Sequence, residues 1–233
     1  VGSEMCIRDS LVFVLVPRSA LPVAVLFVTA LKYSTAAMAA QALANYLTGG
    51  RWYSFVFSIS YGLSGFLVAN FLNIMWMDGV ILLPLVVLGI ERLFDEQRLL
   101  PYVIPLSLAF ITNYYIGFMV AIFAALYFGW RWAIQHQLQL LRKISLFVIG
   151  SLLSGMIAAV VLIPTYYALS ASRLSSAGAD FSFKALYSLI DLPSKLLPGS
   201  FNFDQLSNGL PNLYMGMIGL LAVSYTHLTL PTI

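Results

Sequence analysis

Apolar runs of near-membrane length follow one another along this chain, and the connectors between them hold most of its charge. A bilayer core about 30 Å thick takes roughly 20 apolar residues as an α-helix. Runs at 21–46, 52–68, 79–94, 101–130 and 144–166 approach or exceed that length, and another opens at Leu213. Of the 233 residues, 61% are hydrophobic and 9% charged, and the mean hydropathy is +0.90. A soluble domain is about 25% charged. Twelve basic and nine acidic side chains are too few to solvate a globule of this size. The runs are continuous rather than alternating, which argues against a transmembrane barrel. The expected fold class is all-α: a polytopic transmembrane helical bundle of about seven spans.

Charge predicts the direction of each span. A net charge of +3 would suggest nucleic acid in a soluble protein. Here the basic residues sit between apolar runs and read as topology signals, so no nucleic-acid partner is expected. Residues 101–130 form a run that as one helix would rise about 45 Å, too long for the hydrocarbon core. One helix would also put Arg98 and Arg131 on opposite sides. Two short helices hinged at Asn113, Tyr114 and Tyr115 keep Arg51, Arg92, Arg98, Arg131, Arg142 and Lys143 on one side, and the positive-inside rule makes that side cytoplasmic. Segments 70–78 and 113–115, and a Ser/Pro/Gly-rich loop at 168–212, then face outward. In that loop Phe183, Leu186, Tyr187 and Ile190 oppose Lys184, Ser188, Asp191 and Lys195. The pattern predicts a helix lying in the membrane interface, ended or kinked by Pro193.

Few polar residues fall where chemistry could use them. Asp78 follows Asn73 and Trp76 in FLNIMWMDG at the outer end of a span. A carboxylate at a membrane boundary can act as a base, bind a divalent metal or hold a sugar hydroxyl. It can equally be the N-cap of a helix that starts at Gly79. Trp76 can stack on a sugar ring or anchor the interface. Asn113, Tyr114 and Tyr115 can line an outward pocket, since broken helices at membrane depth are tolerated around cavities. They can also be a capping Asn beside interfacial tyrosines. Lys32, inside the first span, can meet a lipid phosphate, snorkel or mark a break. His136 reads as a solvated connector residue, and Asp204 as part of a turn-rich segment. Ser151-x-x-x-Gly155 reads as helix packing. One cysteine and two histidines, far apart, make no Cys/His metal site. No Walker, GxGxxG or HExxH motif is present.

The ends differ from the rest. VGSEMCIRDS at 1–10 and SYTHLTLPTI at 224–233 resemble translated sequencing-adapter read-through. The expectation is therefore an internal fragment, with 11–223 forming one transmembrane domain. Cys6 and His227 carry no functional weight on that view.

Several segments together resemble the YfhO family of bacterial membrane proteins: FLNIMWMDGVILLPLVVLGIERL at 71–93, ITNYYIGFMVAIFAALYF at 111–128, KLLPGS at 195–200 and GLPNLYMG at 209–216. The resemblance implies a multi-pass protein of the bacterial cell membrane with a GT-C-like fold. It implies a glycosyltransferase that moves sugar from a polyprenyl-phosphate donor to an extracellular, teichoic-acid-like envelope polymer. In GT-C enzymes the catalytic acid usually lies in the first outer loop, upstream of what this chain covers, so the catalytic residue is unassigned. Asn73, Trp76, Asp78, Asn113, Tyr114 and Tyr115 are assigned to the substrate pocket, and the cofactor requirement, a divalent metal included, is left open. The expected partners are the lipid bilayer, the lipid-linked donor and the polymer acceptor. Some family members are labelled permeases, so a transporter of lipid or polysaccharide is the alternative. A non-enzymatic subunit of an envelope-assembly complex is the third reading.

Overall fold

The computed structural model describes residues 17–71, 73–134 and 140–171. The expected interfacial helix at 181–197, most of the 168–212 loop, the span opening at Leu213, His136, Asp204 and both unusual ends lie outside these residues. After a short 3-10 turn, Arg18–Ala20, seven α-helices follow among the described residues. They are α1 (Leu21–Thr48), α2 (Tyr53–Gly62), α3 (Gly65–Ala69), α4 (Ile74–Asp95), α5 (Leu100–Thr112), α6 (Tyr114–Ile134) and α7 (Leu140–Ala171). No strand occurs among the described residues, and the bundle is all-α as expected.

Local chemistry explains several of the helix ends. Pro22 sits in the first turn of α1, where a missing N–H costs nothing. Gly49 ends α1 with φ +68, a left-handed conformation that glycine adopts without strain, and its N–H bonds the Asn45 carbonyl. Asn113 separates α5 from α6 in an extended conformation, so the predicted hinge falls where the sequence puts it.

Among the described residues, three helices are long and apolar enough to cross a membrane: Leu21–Thr48, Tyr114–Ile134 and Leu141–Ala168. The others depart from simple spans. The run expected at 52–68 breaks at Leu63 and Ser64 into α2 and α3. The helix expected over 79–94 begins earlier, at Ile74, because Met77 is apolar and buries against Ala36 and Leu67. That helix, α4, has 22 residues and carries Asp78, Glu91, Arg92 and Asp95. α5 has only 13 residues, about 20 Å of rise, too short to cross alone.

Side-chain contacts give the direction of each helix. On α1 and α4, Lys32 meets Asp78 and Tyr46 meets Asp95, so the two helices run parallel. α2 and α3 return between them. The start of α5 packs against Gly89 near the end of α4, and its far end turns at Asn113. α6 comes back alongside, bringing Phe128 to Phe94. Arg92, Arg131 and Lys143 all lie over aromatic rings at one end of the bundle, and Arg51 follows the same end of α1. The basic connectors thus share one end, as the charge pattern predicts.

A column of rings forms the main core. Phe94 of α4 meets Phe128 of α6, which stacks on Phe147 of α7, which stacks on Tyr102 of α5. Small residues bring the backbones together, as expected where lipid gives no hydrophobic drive to helix association. A Cβ at Gly89 would collide with the Pro101 carbonyl oxygen and lie 2.5 Å from the Tyr102 Cα. On α7, Gly150 abuts the Tyr102 ring, Ser151 Oγ lies 2.9 Å from the Tyr102 hydroxyl, and buried Ser154 donates to the Val103 carbonyl. The packing pair is therefore Gly150 and Ser154. Of the expected Ser151 and Gly155, only Ser151 reaches the crossing, since a Cβ on Gly155 would meet nothing within 4 Å.

Proline leaves its own signature in α4. Pro84 has no N–H to give the Val80 carbonyl four residues back. The Tyr61 hydroxyl from α2 donates to that carbonyl at 2.7 Å, so no acceptor is stranded in the apolar interior.

Gly89→Ala is expected to cost about 1–3 kcal/mol or more, because backbone atoms of Pro101 and Tyr102 stand where the methyl must go. Thermal unfolding of the detergent-solubilised protein checks this. Gly129→Ala, which meets nothing within 4 Å, should leave the melting temperature unchanged or slightly raised.

Candidate functional site

α4 is the only described helix with acidic groups at both of its ends, and each end is matched differently. About thirteen residues, or roughly 20 Å of helix rise, separate Asp78 from Glu91. At 100° per residue, Glu91 and Asp95 fall about 40° apart, and Asp95 lies about 100° from Asp78 around the helix. Asp78 and Asp95 each contact α1, and Glu91 contacts α6.

At the basic end, Glu91 is 2% exposed and sealed. Arg131 Nε lies 3.0 and 3.1 Å from its two carboxylate oxygens, and the Tyr127 hydroxyl donates to Oε1 at 2.6 Å. Tyr46 donates to Asp95 at 2.9 Å, and the Arg92 guanidinium sits over the Tyr46 ring. Lys143 of α7 lies over Phe94. These contacts clamp α1, α4, α6 and α7 together. The group was not singled out from sequence, where these charges served only as topology signals.

The opposite end is more open. Lys32 Nζ lies 3.0 Å from Asp78 Oδ1 and donates to the Ile74 carbonyl at 2.9 Å. The two side chains retain 13% and 14% exposure. This corrects the capping alternative for Asp78: it is a second-turn residue of α4, and Asn73 holds the N-cap position. It also resolves the choices for Lys32, which neither snorkels away nor breaks α1 but ties α1 to α4. Nearby, Tyr33 donates to the Leu67 carbonyl. The Asn73 amide reaches Asn70 Oδ1 at 3.3 Å, and Asn70 donates to the Phe66 carbonyl, which joins the end of α3 to the start of α4. Trp76 is half-buried on the same turn.

Asn113 has a definite local task. Its Oδ1 accepts the N–H groups of Tyr115 and Ile116 at 3.1 and 3.2 Å, capping α6. The residue is buried, Tyr114 is half-buried and Tyr115 is exposed. The hinge docks where Gly79 leaves room: a Cβ there would collide with the Ile116 side chain. The six candidate residues therefore occupy one end of the bundle on two neighbouring elements. Asn73, Trp76 and Asp78 lie on the first turns of α4, and Asn113, Tyr114 and Tyr115 at the α5–α6 turn beside them.

Such an end can hold polar ligands by hydrogen bonds and charge. Among the described residues, no group of three or more His, Cys, Asp or Glu is placed to hold a metal ion. The signal for the Lys32–Asp78 pair was present but weak. Lys32 and Tyr46 fall about 40° apart on one face of α1, but Asp78 and Asp95 lie about 100° apart on α4.

A family described as bacterial membrane protein YfhO matches residues 10–229. The chain is also similar to a curated protein named "Uncharacterized protein YfhO" from Bacillus subtilis (strain 168), with 29% identity over 147 residues. That alignment covers 60% of this chain and 17% of the relative, so the aligned part is a small share of that protein's length. No solved structure gives a significant match.

Two outcomes test the geometry. Glu91→Leu should destabilise the bundle by on the order of 3 kcal/mol, because it strands Arg131, and adding Arg131→Met should recover most of the loss. Denaturant or thermal unfolding of the two variants in detergent reads the difference. Asn113→Ala should cost about 1 kcal/mol through loss of the cap, and Asn113→Ser should retain most of the stability, by the same measurement.

Proposed function

The chain belongs to the YfhO family of bacterial membrane proteins, and from that premise we propose that it forms part of a membrane glycosyltransferase. The enzyme takes sugar from a polyprenyl-phosphate carrier and passes it to a polymer of the cell envelope on the outer face. The observation that carries this reading is the partly open Lys32–Asp78 pair at the end of the bundle opposite the basic connectors. By the positive-inside rule that end faces away from the cytoplasm, where a lipid-linked donor is presented. An ionisable pair at membrane depth is costly to maintain and marks a functional site by default.

In the proposed reaction the donor enters laterally from the outer leaflet. Its polyprenyl tail stays in lipid and its sugar lies against the turn residues. Asp78 and Asn73 hold sugar hydroxyls, and Trp76 offers an apolar ring face. Asn113 serves the pocket by holding the turn that presents Tyr114 and Tyr115. An acceptor hydroxyl, deprotonated by a carboxylate, attacks the anomeric carbon. The bond from that carbon to the phosphate oxygen breaks, and polyprenyl phosphate leaves with the electron pair. The base is not assigned to a residue of this chain. The leaving group is itself a stable phosphate, so the step needs no nucleotide.

Asp78→Asn in the full-length protein should lower sugar transfer at least tenfold at unchanged membrane abundance. Transfer of a labelled sugar from a polyprenyl-phosphate donor to the envelope polymer measures it. Unchanged transfer removes Asp78 from the site. No transfer by the wild-type protein, together with movement of lipid or polysaccharide across vesicles, would replace the reading with the permease one.

A further inference from the structure

The two ion pairs on α4 differ in a way that points to different duties. The carboxylates differ most: Glu91 is enclosed by a guanidinium and a phenol with 2% of its surface left, although its partner Arg131 keeps 19% exposure. The Lys32–Asp78 pair retains 13% and 14% exposure at the end that carries the polar turns. Its cation is a lysine, a compact charge on a flexible stem that can change partners, where arginine is a rigid fork. Its anion is a short carboxylate fixed on the second turn of α4.

We propose that Lys32 and Asp78 form a two-part recognition site that opens by exchange: Lys32 takes the phosphate of a lipid-linked glycosyl phosphate, and Asp78 takes hydroxyls of the sugar beside it. This rests on the glycosyltransferase reading and names how its donor is selected. The argument is one of charge and hydrogen-bond balance. With no ligand bound, the pair neutralises itself at membrane depth, where an uncompensated charge is expensive. A phosphate that draws Lys32 away leaves the Asp78 carboxylate exposed to the same penalty. A bare phosphate lipid has no sugar hydroxyls to repay it. A neutral glycolipid brings hydroxyl donors but no anion for Lys32. A glycosyl phosphate carries both groups a few bonds apart, so it satisfies both halves at once. The resting pair thereby discriminates against ligands that offer only one half.

The test uses the full-length protein reconstituted in nanodiscs. Binding is measured for a polyprenyl-phosphate sugar, for polyprenyl phosphate, for a neutral alkyl glycoside, and for a soluble sugar 1-phosphate with inorganic phosphate as its control. The wild type should bind the polyprenyl-phosphate sugar at least tenfold more tightly than polyprenyl phosphate or the glycoside. The soluble sugar phosphate should bind more weakly than the lipid-linked one, and equal binding would overturn the lipid source. Lys32→Gln should weaken binding of both phosphate lipids at least tenfold. Asp78→Asn should act in the opposite sense on the bare lipid: it releases Lys32 from its resting partner, so polyprenyl phosphate binds more tightly and the preference for the sugar-bearing lipid shrinks. A merely structural pair would not produce that reversal. The double variant Lys32→Gln/Asp78→Asn leaves no stranded charge and serves as the folded control, with its preference abolished. Weaker binding of polyprenyl phosphate by Asp78→Asn, or full preference in the double variant, overturns the exchange while leaving the glycosyltransferase reading intact. Failure of the wild type to bind any glycosyl phosphate overturns both.

Discussion

A charge in hydrocarbon is tolerated only beside its opposite, and α4 brings three acidic groups and one guanidinium into a bundle built largely of apolar helices. The rest of the arrangement answers to that constraint. α1 supplies Lys32 to Asp78 and Tyr46 to Asp95, and α6 supplies Tyr127 and Arg131 to Glu91. Each of the two neighbours is thereby fixed in register and direction against α4. Apolar contacts alone would not do this, because leucine against leucine is no better than leucine against lipid. Ion pairs and small residues such as Gly89 and Gly150 set which helices meet and at what level. The ring column from Phe94 to Tyr102 then fills the space they enclose.

The same solvent rule governs the backbone. Pro84 frees a carbonyl, and the Tyr61 hydroxyl meets it. The α5–α6 hinge exposes helix-start N–H groups, and Asn113 meets two of them. α5 is too short to cross a bilayer, yet its far end is no loose terminus. It turns through one capped residue into α6 and docks by way of Ile116 against Gly79. A hairpin of this kind puts polar turn residues at membrane depth without leaving backbone groups unsatisfied. It also brings Tyr114 and Tyr115 to the level of the Lys32–Asp78 pair, which is why the candidate residues share one end of the bundle.

How much of this was legible in the sequence follows from the range of each interaction. The hinge at Asn113 could be read because a 30-residue apolar run is too long for one span and its polar residues sit near the middle. That the basic connectors share one end could be read because topology depends on local charge. The start of α4 was misplaced by five residues, since Asn70 and Asn73 look like a loop until Met77 is seen to bury against α1 and α3. The pairing of Lys32 with Asp78 was hidden for a different reason. The two residues are 46 positions apart, and each alone has a common local explanation. Gly150 was missed in favour of Gly155 because both sit on an apolar helix at packing spacings, and only the position of Tyr102 decides between them.

The two ends of α4 differ in the access of their carboxylates, 2% exposed at Glu91 and 14% at Asp78. Glu91, held by Arg131 and Tyr127, offers a ligand almost no surface, so its contacts serve to hold helices. A pair open to its surroundings can be broken from outside if the incoming molecule compensates both partners. That condition is demanding, and it restricts the ligand to one that carries an anion and hydrogen-bond donors close together. The stability that such a pair gives up relative to apolar packing is then the source of its selectivity. On the proposed reading, the enclosed carboxylate of Glu91 holds the register at the end with the basic connectors, and the more accessible Asp78 at the other end meets the ligand.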